Sequence, residues 1–387
     1  MTTITALDAV VVNVSPKTNW TFIVVTTADG ATGWGECSLN GREAMLAAQA
    51  VLLGSDMRGR DLDSVDALLR HLPHAAGGLV AHAVRSATEQ AVTDLRAARA
   101  GMSVARFLSS APRASVPAYA NINRGVTTRT PQGFADAARS AVAAGYRAVK
   151  LAPFDGVIAA DAATTPIDAR TRDGLDRVFA VRDAVGAEVA VMVDCHWRFD
   201  VTRAESLLGD IESAQPWWVE CMTSEHPTCY DAIARLTSLA HEHGLRTAGG
   251  EMITGADTAM AMCAGRLYDV LMPDIKYAGG YQGMRDIADV CAAHGVAFAP
   301  HNPTGPIAHL ASVHACAASP TLLWLEHQWR ETPLFDALID GAAPPLVGGS
   351  FCVPVANGLG AALDRVLAGL HPHQLLGPDA NLDPRLG

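Results

Sequence analysis

From about residue 116 onward, short apolar runs recur at nearly even intervals, and most of them end on a charged side chain. Eight runs read as strands: 116–122, 148–152, 189–194, 217–220, 246–251, 270–275, 296–301 and 322–326. Between them lie alanine-rich stretches with helical spacing, such as 134–144, 171–185, 232–243, 284–293 and 306–318. Parallel strands covered on both faces are short and almost wholly apolar, as these runs are. Eight strand–helix units in roughly 220 residues match the size of a closed (β/α)8 barrel.

The chain before this rhythm reads differently. Strand-like runs at 9–14 and 22–27 are followed by the turn signal Ala28-Asp29-Gly30, and helical stretches follow at 42–53 and 80–100. The second helix carries Ala83, Ser86, Ala87, Ala91, Leu95 and Ala98 at helical spacing. Strands followed by helices make a separate α+β unit. After the barrel, Ala342-Ala343-Pro344-Pro345 and Gly348-Gly349 mark a linker. A strand at 351–355, a helix at 361–370 and a loose tail after His371 are expected next. The sequence therefore divides into an α+β capping domain (1–115), a barrel (116–340) and a C-terminal segment (341–387) that packs on the capping domain.

Composition narrows the functions. The chain of 387 residues has 29 Lys+Arg against 40 Asp+Glu, and no basic stripe stands out, which argues against nucleic acid as a partner. No run of about 18 apolar residues offers a membrane span. The start shows no basic, apolar leader pattern. Eight scattered cysteines form no C-x-x-C pair and read as free thiols in a reducing compartment, with the cytoplasm as default.

In a barrel of this kind the C-terminal ends of the strands face the active site. The runs end near Lys150, at Asp194 with His196 two residues on, at Glu220, at Glu251, at Asp274, at His301 and at Glu326 followed by His327. From Asp194 to Glu326 the gaps are 26, 31, 23, 27 and 25 residues, each about one strand–helix unit, so these side chains should ring one mouth. Asp194, Glu220 and Glu251 on consecutive strands would repel one another as bare anions. A hard divalent cation removes that conflict, and oxygen-only ligation favours Mg²⁺ over zinc. Each carboxylate taken alone has the alternative role of a helix cap. Asp274 and His301 on adjacent strands suit an oriented imidazole base. His301 sits in Pro300-His301-Asn302-Pro303-Thr304-Gly305-Pro306, a loop that opens a helix. By contrast, His241-Glu242-His243 reads as polarity at a helix C-terminus, and Trp217-Trp218 as barrel packing.

This order of residues resembles the enolase superfamily in its mandelate racemase-like branch, and most nearly the acid-sugar dehydratases of the D-galactonate type. Asp194-Cys195-His196-Trp197-Arg198 is similar to their Asp-x-His-x-Arg segment, and Gly33-Trp34-Gly35-Glu36 to the strand that leads into their substrate loop. The resemblance implies Mg²⁺ on Asp194, Glu220 and Glu251. It implies His301 as base oriented by Asp274, His196 as acid toward the leaving hydroxyl, and Glu326 as hydrogen-bonding partner of the substrate carboxylate. Lys150 would add a donor there, as would Glu326 if protonated, with Arg198, Arg42 and Asn302 as further substrate contacts. The expected reaction abstracts the C2 proton of an aldonate or aldarate and eliminates the C3 hydroxyl through an enediolate, as Lys or His bases with Mg²⁺ do in that superfamily. The substrate's stereochemistry would be read by the capping loop 38–42. A homo-oligomer, often an octamer, is also implied.

Two departures keep other readings open. Glu220-Cys221-Met222 stands where the family has Glu-Glu-Pro, and Lys150-Leu151-Ala152 lacks a second lysine. The alternatives are a racemase, epimerase or cycloisomerase on the same scaffold, or a barrel without chemistry that acts as a binding module. His196 favours dehydration, which needs an acid beside the base, whereas racemisation needs a second base.

Overall fold

The computed structural model describes residues 2–71, 78–157, 165–341 and 343–376. Three antiparallel strands open the chain: β1 (Ile4–Ser15), β2 (Thr18–Thr27) and β3 (Thr32–Glu36), paired in that order. The helices α1 (Glu43–Met57), α2 (Asp66–His71), α3 (Gly78–Arg99) and α4 (Val104–Leu108) follow. The small-residue stripe of α3 has a direct counterpart on β3. A Cβ on Gly33 would come within 2.1 Å of the Ala91 carbonyl oxygen, and one on Gly35 within 1.9 Å of that of Ala87. Only glycine admits so close an approach.

The barrel strands are β4 (Ser115–Asn121), β5 (Ala148–Leu151), β6 (Ala190–Asp194), β7 (Trp218–Glu220), β8 (Thr247–Gly249), β9 (Val270–Leu271), β10 (Ala297–Phe298) and β11 (Leu325–Gln328). Each pairs in parallel with its predecessor from β5 to β10, and β11 returns to pair with β4. A parallel bridge from Phe298 to Leu322 closes the ring. The outer helices are α5 (Pro131–Ala143), α6 (Thr165–Val185), α7 (Val201–Ile211), α8 (Tyr230–Glu242), α9 (Ala256–Ala264), α10 (Gly280–His294) and α11 (Pro306–Ala318). Strand alternation sorts the core. Val149, Val191, Val193 and Val219 join the large cluster under the helices, while Tyr119, Ala148, Met192, Trp218 and Ala248 form a separate inner plug.

The last elements are α12 (Leu334–Ala337), β12 (Ile339–Asp340), β13 (Leu346–Val347), β14 (Ser350–Cys352), β15 (Ala362–Leu363) and α13 (Arg365–Leu370). The helix expected at 361–370 is shorter. Ala362 and Leu363 pair with β12 instead, and Asp364 caps α13 by accepting from the Val366 and Leu367 amides. The segment touches both domains. β14 pairs antiparallel with β4 of the barrel, Gly358 bridges to Ser103, and the Asn13 amide donates to the His371 carbonyl. Ala342 and the tail from residue 377 lie outside the described residues. All eight cysteines are free, and among the described residues no helix is long and apolar enough to cross a membrane.

His309, His314 and His327 are packed between α11, β11 and the C-terminal segment. Nδ1 of His327 pairs with the Tyr146 hydroxyl, and the ring stands edge-on to Phe351. Nδ1 of His314 accepts from the Ala105 amide, and its Nε2 bonds the Leu359 carbonyl. Burial pushes His314 and His327 down to about 4 and holds His309 well below its ordinary value. Unfolded, each would titrate near 6.5. The unfolded chain therefore binds more protons below that pH, and stability falls as pH drops from about 6.5 toward 4. Urea denaturation at pH 8, 6 and 4.5 should show this loss. His327→Phe, which removes one of the three groups, should flatten it.

Candidate active site

The alternation that fills the barrel with Tyr119, Ala148, Met192 and Trp218 also places the polar residues one step above them. Asn121, Lys150, Asp194 and Glu220 each follow an inward residue by two positions. Asp194 and Glu220 are register partners on adjacent strands. Glu326 faces inward from β11, whereas its neighbour His327 faces the helices.

Lys150 is the centre of this layer. Its Nζ lies 2.8 Å from Glu220 Oε1 and 3.1 Å from Glu326 Oε1, and all three side chains are buried. Burial opposes the ammonium, but the two carboxylates outweigh it and hold Lys150 protonated. Burial, with the charges of Asp194, Glu326 and Glu251 added, pushes Glu220 well above the usual carboxylate range despite Lys150. The Trp218 indole donates to Glu220 Oε2 at 2.9 Å.

Glu326 is bound on several sides by protein groups. It accepts from Asn121 Nδ2 at 2.6 Å, from the Asn302 amide at 3.0 Å and from Lys150. Burial alone would raise it, but Lys150, His301 and these bonds carry it below the usual range. In this arrangement its carboxylate oxygens accept from protein groups beneath the cavity. Asn302 is likewise buried, with Nδ2 on His309 and on the Glu326 carbonyl and Oδ1 on Ser312.

His301 Nδ1 stands 2.9 Å from Asp274 Oδ2. Its Nε2 faces Glu251 Oε2 at 3.4 Å. Burial works against a charged ring, but Glu251, Glu326 and the Asp274 bond outweigh it, so His301 titrates above its ordinary value. Lys276, which the sequence reading did not single out, shares the same Asp274 Oδ2 at 2.6 Å. Burial would raise Asp274, but Lys276 and His301 hold it below the usual range.

His196 grips Asp194 twice. Its amide donates to Oδ1 at 2.9 Å and its Nε2 lies 2.8 Å from Oδ2. Burial opposes ionisation of Asp194, but His196 and Lys150 outweigh it and hold the carboxyl low. The local backbone is unusual. His196, Trp197 and Cys221 have φ near +50°, a left-handed conformation that non-glycine residues adopt at a cost and that collects at functional sites.

A cavity of about 140 Å³ opens over this layer. Asp194, His196, Arg198, Glu251 and His301 line it, together with Lys276 and Asn121. The capping domain supplies Thr18, Trp20, Ser38, Leu39 and Asn40, so the expected capping loop does face the site. Arg42 is not among the described residues that line it, and Glu220, Lys150, Asp274, Glu326 and Asn302 sit beneath it. Lys276 had a signal in the sequence, since it lies two residues after Asp274 and so on the same face. Thr18 and Trp20 had none, because only domain docking brings them here. His241 and His243 pair with different neighbours, Asp269 and Glu212, and form no common site.

One oxygen each from Asp194 and Glu220, with Cys221 Sγ, lie within 4.8 Å of one another. Asp194 and Glu251 line the cavity, Glu220 lies just beneath it, and Lys150 is already divided between two partners. That donor set suits a divalent cation. Glu225 steadies the third carboxylate. Its Oε1 accepts from the Gly250 amide at 2.7 Å, just before Glu251, and from the Tyr268 hydroxyl at 2.8 Å.

Comparison with known proteins agrees with this geometry. Residues 6–109 match the model of the mandelate racemase/muconate lactonizing enzyme N-terminal domain, and residues 133–367 that of the enolase C-terminal domain-like family. A D-gluconate dehydratase of Thermoproteus tenax is 28% identical over 348 residues, covering 89% of this chain and 68% of that protein. A D-galactonate dehydratase of Xanthomonas euvesicatoria is 27% identical over 354 residues, covering 89% of both. A mandelate racemase/muconate lactonizing enzyme structure from Jannaschia sp. CCS1 superposes with a TM-score of 0.85 at 26% identity, covering 96% of this chain and 98% of that one.

Removing Lys150 strands buried negative charge. Lys150→Met should cost about 3–5 kcal/mol in urea denaturation with chelator present. Adding Glu326→Gln to it should restore part of that loss, which a double-mutant cycle reads directly.

Proposed function

Because the chain belongs to the mandelate racemase/muconate lactonizing enzyme family of the enolase superfamily, we propose that it is a Mg²⁺-dependent dehydratase of a sugar acid. One observation carries the reading. A single cavity is lined by two imidazoles with separate carboxylate partners, His301 on Asp274 and His196 on Asp194, beside the carboxylate Glu251. The similarity to acid-sugar dehydratases supports it.

Asp194, Glu220 and Glu251 would hold Mg²⁺, which when bound supplies the positive charge that stabilises an enediolate. The protein side chains would do the rest. His301 takes the C2 proton at Nε2 while its Nδ1–H stays on Asp274, so the new charge on the ring faces a carboxylate. Lys276 holds Asp274 in place from the other side. His196 donates a proton to the C3 hydroxyl as the C3–O bond breaks, and water leaves. The remaining enol tautomerises to a 2-keto-3-deoxy acid. Arg198, with Nη1 on the Val157 carbonyl, presents its guanidinium to the cavity for the substrate's carboxylate or hydroxyls. Lys150 and Glu326 act from below, by fixing Glu220 and the Asn302 amide beside His301.

The second reading, racemisation or epimerisation, needs a base on the opposite face of C2; Lys276 lines the cavity but shares Asp274 Oδ2 with His301, on the same side.

The test is a panel of mono- and diacid sugars with excess Mg²⁺, followed for 2-keto product and, in heavy water, for deuterium at C2. The dehydratase reading expects keto product from one or a few sugars. His301→Asn should abolish product and exchange together. His196→Asn should stop the product, by at least a hundredfold, yet leave C2 exchange. Exchange or epimer without keto product from the unaltered enzyme would replace dehydration with the second reading. Mg²⁺ should also raise Tm, and Glu220→Gln should remove that rise.

A further inference from the structure

Glu36 ends the last capping strand and is fully buried. Its side chain does not serve its own domain alone. Oε1 accepts from Thr304 Oγ1 at 2.7 Å and from the Gly305 amide at 2.8 Å, and Oε2 accepts from the Ala308 amide at 2.9 Å. These groups belong to the loop after His301 and to the first turn of α11. The helix has no cap from its own sequence, since Gly305 precedes it. A carboxylate from the other domain fills that place, where backbone N–H groups and the helix dipole favour an anion. A Cβ at position 305 would fall 2.8 Å from both Glu36 oxygens, so the approach needs glycine.

The same carboxylate reaches the cavity wall. Ser38 Oγ donates to Glu36 Oε1 at 2.7 Å, and Ser38 lines the cavity. The other half of the dyad is tied in as well. Gln90 accepts from the Glu36 amide at 3.2 Å and donates to the carbonyl of Ile275, between Asp274 and Lys276, at 3.3 Å. The Tyr277 hydroxyl reaches the Ser38 carbonyl at 3.4 Å.

We propose that Glu36 is a positioning residue for His301, a helix cap supplied by the capping domain that fixes the histidine's loop and registers the substrate-facing Ser38 against it. The proposal rests on the reading of His301 as the base. Through Glu36, the capping wall and the proton acceptor hold one geometry, so a substrate that settles Ser38 also settles His301.

A matched control comes from the capping domain's contact with the C-terminal segment. Asp94 is a second buried capping-domain carboxylate, accepting from the Trp34 and Leu359 amides at 3.0 and 2.7 Å, away from the dyad. Glu36→Gln and Asp94→Asn are therefore compared, with Thr304→Val as a milder variant that removes a single Glu36 bond. Three readings are taken: amide hydrogen exchange by peptide, the rate of His301 modification by diethyl pyrocarbonate read by mass spectrometry, and kcat and KM on a substrate from the panel. Glu36→Gln should speed exchange in residues 301–308 at least tenfold and change the His301 modification rate at least threefold. It should lower kcat at least tenfold with KM within threefold. Thr304→Val should move the same readings in the same direction by less. Asp94→Asn should lower Tm, yet leave His301 modification and kcat within twofold. Unchanged exchange at 301–308 or unchanged His301 modification in Glu36→Gln overturns the proposal. So does an equal loss of kcat in Asp94→Asn. If the unaltered enzyme turns over no acid sugar, the functional reading fails, while exchange and His301 modification still decide the role of Glu36.

Discussion

A single buried ammonium makes the mouth of this barrel possible. Lys150 stands between Glu220 and Glu326, sealed from water, where an isolated charge of either sign would be prohibitively costly. It neutralises Glu326 well enough to keep it ionised, and Glu326 then orders Asn121 and the Asn302 amide. Glu220, despite Lys150, is pushed well above the usual carboxylate range, and Asp194 and Glu251 line the cavity above it. Lys150 thus serves the layer under the cavity, while a second buried lysine, Lys276, stands on Asp274.

The capping domain is attached by the same kind of interaction, turned toward backbone. Glu36 and Asp94 are buried carboxylates in or near the interface, and Glu89 is a half-buried one. Glu89 accepts from the Tyr281 amide at the start of α10, and Asp94 from the Leu359 amide. Burial raises Glu89 to about 7 and Asp94 to about 6, against the pull of these bonds. Amide groups that would otherwise be orphaned find acceptors across the interface. An apolar contact alone would allow sliding, whereas these bonds fix where the capping loop sits over the strand ends.

The βα rhythm was legible because it is a local, periodic property of the chain. The helix expected at 306–318 has those bounds in the structure, because Pro306 starts it with no amide to waste. Strand ends were legible for the same reason, and the run-ending residues Asp194, Glu251 and His301 do meet at one cavity. What the sequence could not show depends on partners far away in the chain. Ala362 and Leu363 look helical until β12 is there to pair with them. The partners of Glu326, Lys150 and Asn121, lie far from it in the chain and are brought to it only by closure of the barrel. Lys276 was hidden for another reason: the apolar run ends at Ile275, one residue short of it, although alternation by two puts Asp274 and Lys276 on the same face.

The pairing of β4 has a consequence for how the chain is made. This strand begins the barrel, yet it takes β11 on one side and the antiparallel β14 at its base, more than 200 residues later. The capping strands wait still longer, since β1 receives His371 and Pro372. Contacts of such sequence separation are slow to form, and a domain under synthesis emerges from its N-terminal end. During translation the barrel's first strand must therefore stand with an open edge until nearly all of the polypeptide has left the ribosome. Its neighbour β5 covers one side early, and the burden of keeping the other from strange partners falls on the speed of elongation and on the cell's chaperones.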